Sequence, residues 1–159
     1  TVVMLNGRLQ NQRLRKRLND AYDRYQLVGT DPEVQSDFAR YLCVLTSGYV
    51  EQAVYTLFLE YSREGTKKSV LRYVTSTLEK FQNPSAEKIA NLLGGFDPVW
   101  KEEFETLIDG ERKEALNSVV TLRHAIAHGE NEGITYRRLI ELRPSVYDVV
   151  DWLVEQLAT

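Results

Sequence analysis

Apolar and polar positions recur with a helical period along nearly the whole chain, and no useful stretch shows the two-residue alternation of a half-buried strand. Three helix starts are marked by a capping residue followed by proline, at Asp31-Pro32, Asn83-Pro84 and Asp97-Pro98. Proline suits the first helical position because its missing N–H would have no partner there. The pattern predicts an all-α protein.

Caps and glycines set the remaining helix limits. We predict helices over residues 6–28, 32–62, 67–81, 84–93, 98–109, 111–128 and 136–157. Thr66 and Thr135 are the expected caps of the third and last helices, Gly94-Gly95 should end the fourth, and Pro144 should kink or divide the last. Long helices joined by short linkers predict an antiparallel, up-and-down bundle with the short pair over residues 84–108 as an insert.

The length of 159 residues predicts one domain, with a basic N-terminal helix in residues 1–30 and the bundle in residues 31–159. Residues 41–59 are apolar nearly all round, which predicts a helix surrounded by others. Polar residues interrupt this segment, so we expect no membrane span, and we expect no signal peptide. A single cysteine, Cys43, excludes a disulfide within the chain and favours a small buried side chain in a reducing, cytoplasmic protein.

Charge is distributed unevenly although the net charge is only −3. Residues 1–24 carry six basic groups and two acids, a net +4, whereas residues 25–159 carry 14 basic and 21 acidic groups, a net −7. A cationic first helix can meet a phosphate backbone, and it can equally be a solvated face. The sequence leaves both interpretations open.

The predicted helix over residues 111–128 carries a polar stripe formed by Asn117, Thr121, His124 and His128, at spacings of four, three and four. The chain has two histidines, and both are in this stripe. Two stacked histidines beside an arginine indicate acid–base chemistry on a phosphodiester. A histidine accepts and gives a proton near pH 7, and an arginine stabilises the charge of a pentacovalent phosphorus.

Arg123 projects into the apolar arc of the same helix, which makes it an anomaly. A buried guanidinium is costly unless it is paired. Glu51 is the expected partner, because it is the one acid within residues 41–59. A paired Arg123 would be structural, whereas a partly free Arg123 would be ready for a phosphate, and the sequence does not decide between them.

Other chemistries fit the sequence less well. Zinc could bind His124 and His128, with Glu130 or Glu132 adding ligands, but the general base of the HExxH pattern is absent. Gly94-Gly95 lacks the Lys-Ser/Thr of a phosphate-binding loop, and a Cys–His nucleophile pair would need an exposed Cys43. We therefore expect neither a metal nor another cofactor.

The segment RHAIAH, residues 123–128, matches the R-x4-H motif of the HEPN superfamily (higher eukaryotes and prokaryotes nucleotide-binding domains). The stretches YLCVLTSGYVEQAV, FQNPSAEKIANLLGGFDPVW and GERKEALNSVVTLRHAIAHG resemble the RiboL-PSP-HEPN branch, which is found associated with RNA ligases. With the helical layout, the resemblance covers roughly residues 31–155.

The resemblance implies an all-α HEPN bundle that forms a homodimer, with metal-independent ribonuclease activity where the motif helices face each other. Arg123 and His128 are the catalytic positions that carry over, and His124 stands where the family often has asparagine. Asn117 and Thr121 are the expected RNA-binding residues beside them. RNA and an antitoxin or associated protein are the partners implied. Inactive relatives serve as RNA-binding or dimerisation modules, so a non-catalytic role stays open.

Overall fold

The computed structural model describes residues 6–130 and 133–158, which form α-helices and loops and contain no strand. This confirms the predicted all-α class. In chain order the helices are α1 (Gly7–Asp23), α2 (Pro32–Arg63), α3 (Lys68–Glu79), α4 (Ala86–Phe96), α5 (Pro98–Ile108), α6 (Glu111–Ala127) and α7 (Tyr136–Leu157). A 3-10 turn, Arg24–Leu27, extends α1 and accounts for the single helix predicted there.

The long helices run up and down around α2, which packs against α1, α3, α6 and α7. Ion pairs join Arg8 to Glu155 and Arg15 to Asp151, so α1 and α7 are antiparallel. Contacts at the two ends of α1, of Gly7 with Leu57 and of Tyr22 with Thr46, make α1 and α2 antiparallel as well. Arg112 at the start of α6 pairs with Asp148 in the second half of α7, and the end of α6 precedes the start of α7 in the chain, so these two helices are antiparallel. Because α7 is parallel to α2, α6 runs opposite to α2.

The central helix α2 is long and apolar enough to cross a membrane when judged by length and composition alone. More than half of its most apolar window is buried inside the protein. Leu42, Val50 and Phe58 are among its fully buried side chains. This matches the helix surrounded by others that the apolar run of residues 41–59 predicts.

The short helices α4 and α5 form the predicted insert, and aromatic rings attach them to the bundle. Phe96 packs on Phe58 of α2 with ring centroids 5.1 Å apart. Trp100 meets Tyr61 edge-on at 5.2 Å. Phe104 of α5 likewise packs on Trp152 of α7 at 5.4 Å. These contacts place the insert across α2 and α7, and α4 also touches α6.

The start of α4 differs from the prediction at Asn83-Pro84. Ser85 is the N-cap, and its hydroxyl accepts a hydrogen bond from the Lys88 amide at 3.3 Å. Asn83 instead has a positive φ of 53°, outside any helix. The helix also continues through Gly94-Gly95 to Phe96, because Asp97 turns to extended backbone there and caps α5.

One other boundary prediction is wrong and one is corrected in part. The cap of α3 is Lys67, because the hydroxyl of Thr66 is turned to the Glu64 carbonyl, at 3.4 Å. Pro144 does not divide α7, which continues past it with Leu142 and Val146 buried on either side, and the kink named as the other outcome stays a prediction. The predicted cap at Thr135 is confirmed, since its hydroxyl accepts from the Arg138 amide at 3.1 Å.

Candidate functional site

The end of α6, which carries both histidines, is fixed by a hydrogen-bonded cap. Gly129 adopts φ of 72°, the left-handed region that glycine enters at no steric cost. Its amide donates to the Ile126 carbonyl at 3.1 Å, and the Glu130 amide donates to the Ala125 carbonyl at 2.9 Å. This pair of bonds is a Schellman motif. It places His128 at the C-cap, directly after Ala127 and thus one residue past the observed end of the helix, and defines where its side chain starts.

The imidazoles of His124 and His128 lie together on the surface of this last turn. Their ring centroids are 4.3 Å apart and the rings meet edge to face at 61°. Both residues are exposed. This contact is the one interaction of either imidazole within residues 6–130 and 133–158. Both rings can therefore reach a ligand from solvent.

Arg123 is half-buried beside the loop that precedes α4. Its Nη1 donates to Asn83 Oδ1 over 3.4 Å, and this is its one hydrogen bond in the described part of the chain. An amide oxygen carries no net charge, so the guanidinium is held in place and no described residue compensates its positive charge. Of the two roles that the sequence leaves open, this geometry favours an arginine available to an anion.

Glu51 is not the partner of Arg123 that the sequence suggests. The Cys43 thiol lies 3.7 Å from the Val119 carbonyl, which fixes the register of α2 on α6. From that contact Glu51 lies eight residues on along α2, and Arg123 lies four residues on along α6 in the opposite direction. At 1.5 Å per residue, the two Cα atoms are roughly 18 Å apart along the helix axes. Glu51 instead lines a surface hollow beside Leu14 and Phe81.

Asn117 has a structural task that the sequence does not reveal. Its Oδ1 accepts a hydrogen bond from the backbone amide of Ala86 at 2.9 Å. Ala86 is the first residue of α4, where amides lack partners inside the helix. The side-chain oxygen of Asn117 is thus used to hold α4 against α6, which restricts the RNA contact predicted for Asn117.

Thr121 is exposed and lines an open groove of about 910 Å³. One wall of the groove is α6, and the other is formed by Gly133, Ile134 and the first turn of α7. The groove is also lined by Asn117, Lys113 and Arg138. The acidic residues Asp109 and Glu114 line it too, so its charges balance. The two histidines of the predicted stripe, His124 and His128, lie outside its lining, as does Arg123, and we call these three residues at the end of α6 the terminal cluster.

The residues that the structure describes place no third His, Cys, Asp or Glu with the histidines in a group suited to a metal ion. Glu132, one of the ligands considered for zinc, lies outside the described residues. Cys43 is buried between α2 and α6, and burial raises the pKa of its thiol to about 12. A thiol held neutral in this way is a poor nucleophile.

Asn83 is the site residue that sequence reasoning misses, since Asn-Pro reads as a helix cap. Asparagine is also the side chain that best tolerates a positive φ after glycine. An asparagine with this backbone, beside a proline, is therefore a signal for a tight turn as much as for a cap. Here the turn aims the side chain at Arg123.

The family model for RiboL-PSP-HEPN matches residues 9–159. The chain belongs to the RiboL-PSP-HEPN family. The match starts within α1 and covers α2 to α7, so it reaches beyond the resemblance visible by inspection. No curated protein and no solved structure matches the chain. Membership of a HEPN family indicates an RNA-related nuclease or binding module, and in general an interaction with RNA and dimerisation.

Proposed function

We propose that the chain is a metal-independent endoribonuclease that acts as a homodimer, with its site at the end of α6. The observation that carries this proposal is the terminal cluster itself. Two exposed imidazoles lie 4.3 Å apart at the end of α6, and the residue directly before His124 is an arginine whose hydrogen-bond partner, among the described residues, is a neutral amide oxygen. These are the groups that cleavage of RNA by its own 2′-OH requires.

In the proposed reaction His128 takes the proton of the ribose 2′-OH. The 2′ oxygen then forms a bond to phosphorus while the bond from phosphorus to the 5′ oxygen breaks. The leaving 5′ oxygen takes a proton from an imidazolium, for which His124 is the nearest candidate. The products are a 2′,3′-cyclic phosphate and a 5′-OH, so the step needs neither water nor a metal.

Arg123 would stabilise the extra negative charge on the phosphate oxygens in the transition state. Its anchoring by Asn83 limits the rotamers that the guanidinium can adopt without cancelling its charge. Such fixed placement of charge is the largest single contribution in many enzymes. The half-buried position strengthens it further, because water screens the charge less there.

A second copy of the chain would complete the site. Within one chain the imidazoles contact each other and no carboxylate or carbonyl that would set their tautomers, among the residues described. In a two-fold dimer, two α6 ends facing each other would offer four imidazoles and two guanidinium groups to one RNA strand.

The direct test is cleavage of a mixed RNA in EDTA by the wild type, His128→Ala and Arg123→Lys. We expect cyclic-phosphate ends from the wild type and a loss of at least about 100-fold in His128→Ala. His128→Ala leaves the backbone cap of α6 intact, since that cap uses main-chain atoms. Circular dichroism should confirm this. Full activity in His128→Ala would refute the assignment.

A non-catalytic module is the alternative that one observation favours, namely the lack of an orienting partner for either imidazole in the described chain. In that case the cluster would grip RNA, a nucleotide or a partner protein without turnover. Binding of RNA with salt-dependent affinity, without cleavage in any condition, would support this alternative over the nuclease.

We further propose that the nuclease acts in the cytoplasm as a toxin or defence effector, restrained by an associated protein. Uncontrolled RNA cleavage would arrest growth. Induced expression of the wild type should therefore stop growth of a bacterial host, and expression of His128→Ala should not. Equal growth with both proteins would count against this role.

A further inference from the structure

Three arginines on α1 and the turn after it have no partner in the part of the chain that the structure describes. Arg13, Arg17 and Arg24 are exposed and make no hydrogen bond or ion pair within residues 6–130 and 133–158. Their spacing of four and seven residues puts them on one face of the helix, over about 16 Å of its length. At these three positions, no ion pair within the described residues neutralises the positive charge.

The other basic groups of α1 are used. Arg8 pairs with Glu155 at 2.8 Å and Arg15 pairs with Asp151 at 2.7 Å, so both tie α1 to α7. Lys16 pairs with Asp20 at 2.9 Å. The basic groups of this region thus divide into two that tie α1 to α7, one that is paired within α1, and three arginines without a partner among the described residues.

Two of the three arginines border a groove of about 530 Å³ between α1 and α2. Arg17 lines it from α1 and Arg24 from the turn after α1, and Tyr41, Val44 and Gln52 line it from α2. Asp20 is its one acid, and Lys16 neutralises that carboxylate. The groove therefore joins positive charge to an apolar wall, the combination that single-stranded nucleic acids bind.

The apolar wall of the groove is open to solvent. The exposed fraction of Tyr41 is 46% and that of Val44 is 39%. The ring of Tyr41 meets Phe38 edge-on at 5.4 Å, and this is its one ring contact in the described chain. An exposed tyrosine whose orientation is fixed by contact with a second ring offers a surface on which a base can stack.

Gly48, on the same side of α2, has no reason in packing to be glycine. A Cβ built there meets no atom within 4 Å, and its φ is not in the left-handed region. Glycine inside a helix costs about 0.5–1 kcal/mol relative to alanine. Gly48 lines the groove, so its missing side chain leaves room for a ligand to approach the helix backbone.

The groove lies at the same end of the bundle as the histidine pair. Tyr25, next to Arg24, stacks on Tyr136 with ring centroids 3.7 Å apart and planes 4° from parallel. Tyr136 is the first residue of α7, eight residues after His128. The Arg24 end of the groove and the histidine pair therefore both lie at the end of the bundle where α1 and α6 finish and α7 starts.

We propose that this α1–α2 groove is an accessory binding site for single-stranded RNA, in which Arg17 and Arg24 contact phosphates and Tyr41 stacks on a base. The inference deepens the proposed function, because it assigns substrate binding to a surface separate from the cleavage site. It favours RNA over an acidic protein because the wall between the cations is aromatic and open at Gly48.

The test measures binding without cleavage, by fluorescence anisotropy of a labelled single-stranded RNA with full-length His128→Ala protein. Arg17→Gln and Arg24→Gln should each weaken binding about fivefold at 0.1 M salt and reduce the slope of log K against log salt by about 0.7. Arg72→Gln is the matched control, since Arg72 is an exposed arginine on α3 without a partner in the described chain. It should change neither quantity.

Two uncharged substitutions separate a groove from a general attraction between charges. Tyr41→Ala should weaken binding about tenfold through lost stacking. Gly48→Gln should weaken it similarly by filling the groove, while it raises the melting temperature because glutamine favours a helix. A melting curve of each variant tests that the fold is kept.

The outcomes distinguish this inference from the proposed nuclease. Wild-type affinity in the four groove variants would overturn the inference and leave cleavage by the His128 site untouched. Binding that depends on the groove, with no cleavage by the wild type, would support the inference and refute the nuclease. Binding of poly-glutamate in preference to RNA, or a groove-dependent dimer with no effect on RNA binding, would overturn the inference in favour of a protein partner.

Discussion

Arg123 and Asn83 are joined by a hydrogen bond of 3.4 Å from Nη1 to Oδ1, although 40 residues separate them in the chain. The partner could have been a carboxylate, which would have neutralised the guanidinium. The amide holds the side chain and leaves its charge available. This relationship links the turn before α4 to the chemistry expected at the end of α6.

Asn83→Asp should therefore slow RNA cleavage without unfolding the protein. The new carboxylate would form an ion pair with Arg123 and compete with the RNA phosphate for it. We expect RNA cleavage to fall about tenfold, which corresponds to about 1.4 kcal/mol in the transition state. The measurement is the initial rate in EDTA, beside a urea unfolding curve.

The matched control is Asn83→Gly, which accepts the φ of 53° and removes the hydrogen bond without adding charge. It should reduce cleavage less than Asn83→Asp does. Equal losses in the two variants would mean that the hydrogen bond, and not the free charge of Arg123, is what the site needs.

Asn117→Ala should destabilise the protein by about 1 kcal/mol, because the buried amide of Ala86 would lose its acceptor. Asn117→Asp keeps an acceptor and adds a negative charge at the start of α4, where the helix dipole favours it. Its free energy of unfolding should match or exceed that of the wild type. Urea denaturation decides the matter, and equal stability of Asn117→Ala and wild type would show that the contact to α4 is dispensable.

Local signals in the sequence predict those helix ends at which nothing distant competes. Asp31 and Asp97 cap α2 and α5 as predicted, with side chains that accept from Glu33 and Val99 amides at 2.9 Å. Gly129 ends α6 for a reason that lies in its own φ. Each of these outcomes depends on residues within one turn.

The errors arise where a side chain bonds to a residue far away in the chain. Asn83 carries the same local signal as Asp97, a capping residue before proline. Its side-chain oxygen nevertheless accepts a hydrogen bond from Arg123, and α4 starts later, at Ala86. Glu51 is the expected partner of Arg123 because it is the one acid in the apolar part of α2. A helical wheel shows the faces of one helix and does not show how far two helices are shifted along each other. The contact of Cys43 with Val119 sets that register, and a single sequence does not show it.

Alkaline pH should destabilise the protein through three buried acids. Burial raises the pKa of Cys43 from its ordinary 9.0 to about 12. It likewise raises the pKa values of Tyr22 and Tyr49 from 10.0 to about 12. Between the ordinary and the raised pKa the unfolded chain loses these protons while the folded chain keeps them. The stabilisation is complete below pH 9 and is lost as pH rises towards 12, at about 1.4 kcal/mol per pH unit for each group. Urea unfolding at pH 8, 9, 10 and 11 measures the decline.

Tyr22→Phe isolates one of these groups. It removes a hydroxyl that lies 2.6 Å from Thr46 Oγ1, so it should cost about 1 kcal/mol at pH 8. Thr46 still donates to the Leu42 carbonyl and is not left without a partner. Above pH 10 the variant should lose stability less steeply than the wild type. Parallel curves across this range would mean that Tyr22 ionises as easily in the folded protein as in the unfolded chain.

Gly129→Ala should loosen the end of α6 and with it the position of His128. An alanine at φ of 72° costs about 1–2 kcal/mol, and relief of that strain would break the bonds from the Gly129 and Glu130 amides. We expect lower stability together with a larger relative fall in RNA cleavage, because catalysis depends on where the imidazole lies as well as on folding.

Gly95→Ala is the contrasting change, since this exposed glycine lies inside α4 and an added Cβ meets nothing within 4 Å. It should raise stability by up to about 1 kcal/mol and leave cleavage unchanged. If Gly129→Ala loses stability and keeps wild-type cleavage below its melting temperature, the cap supports the helix but does not position the site.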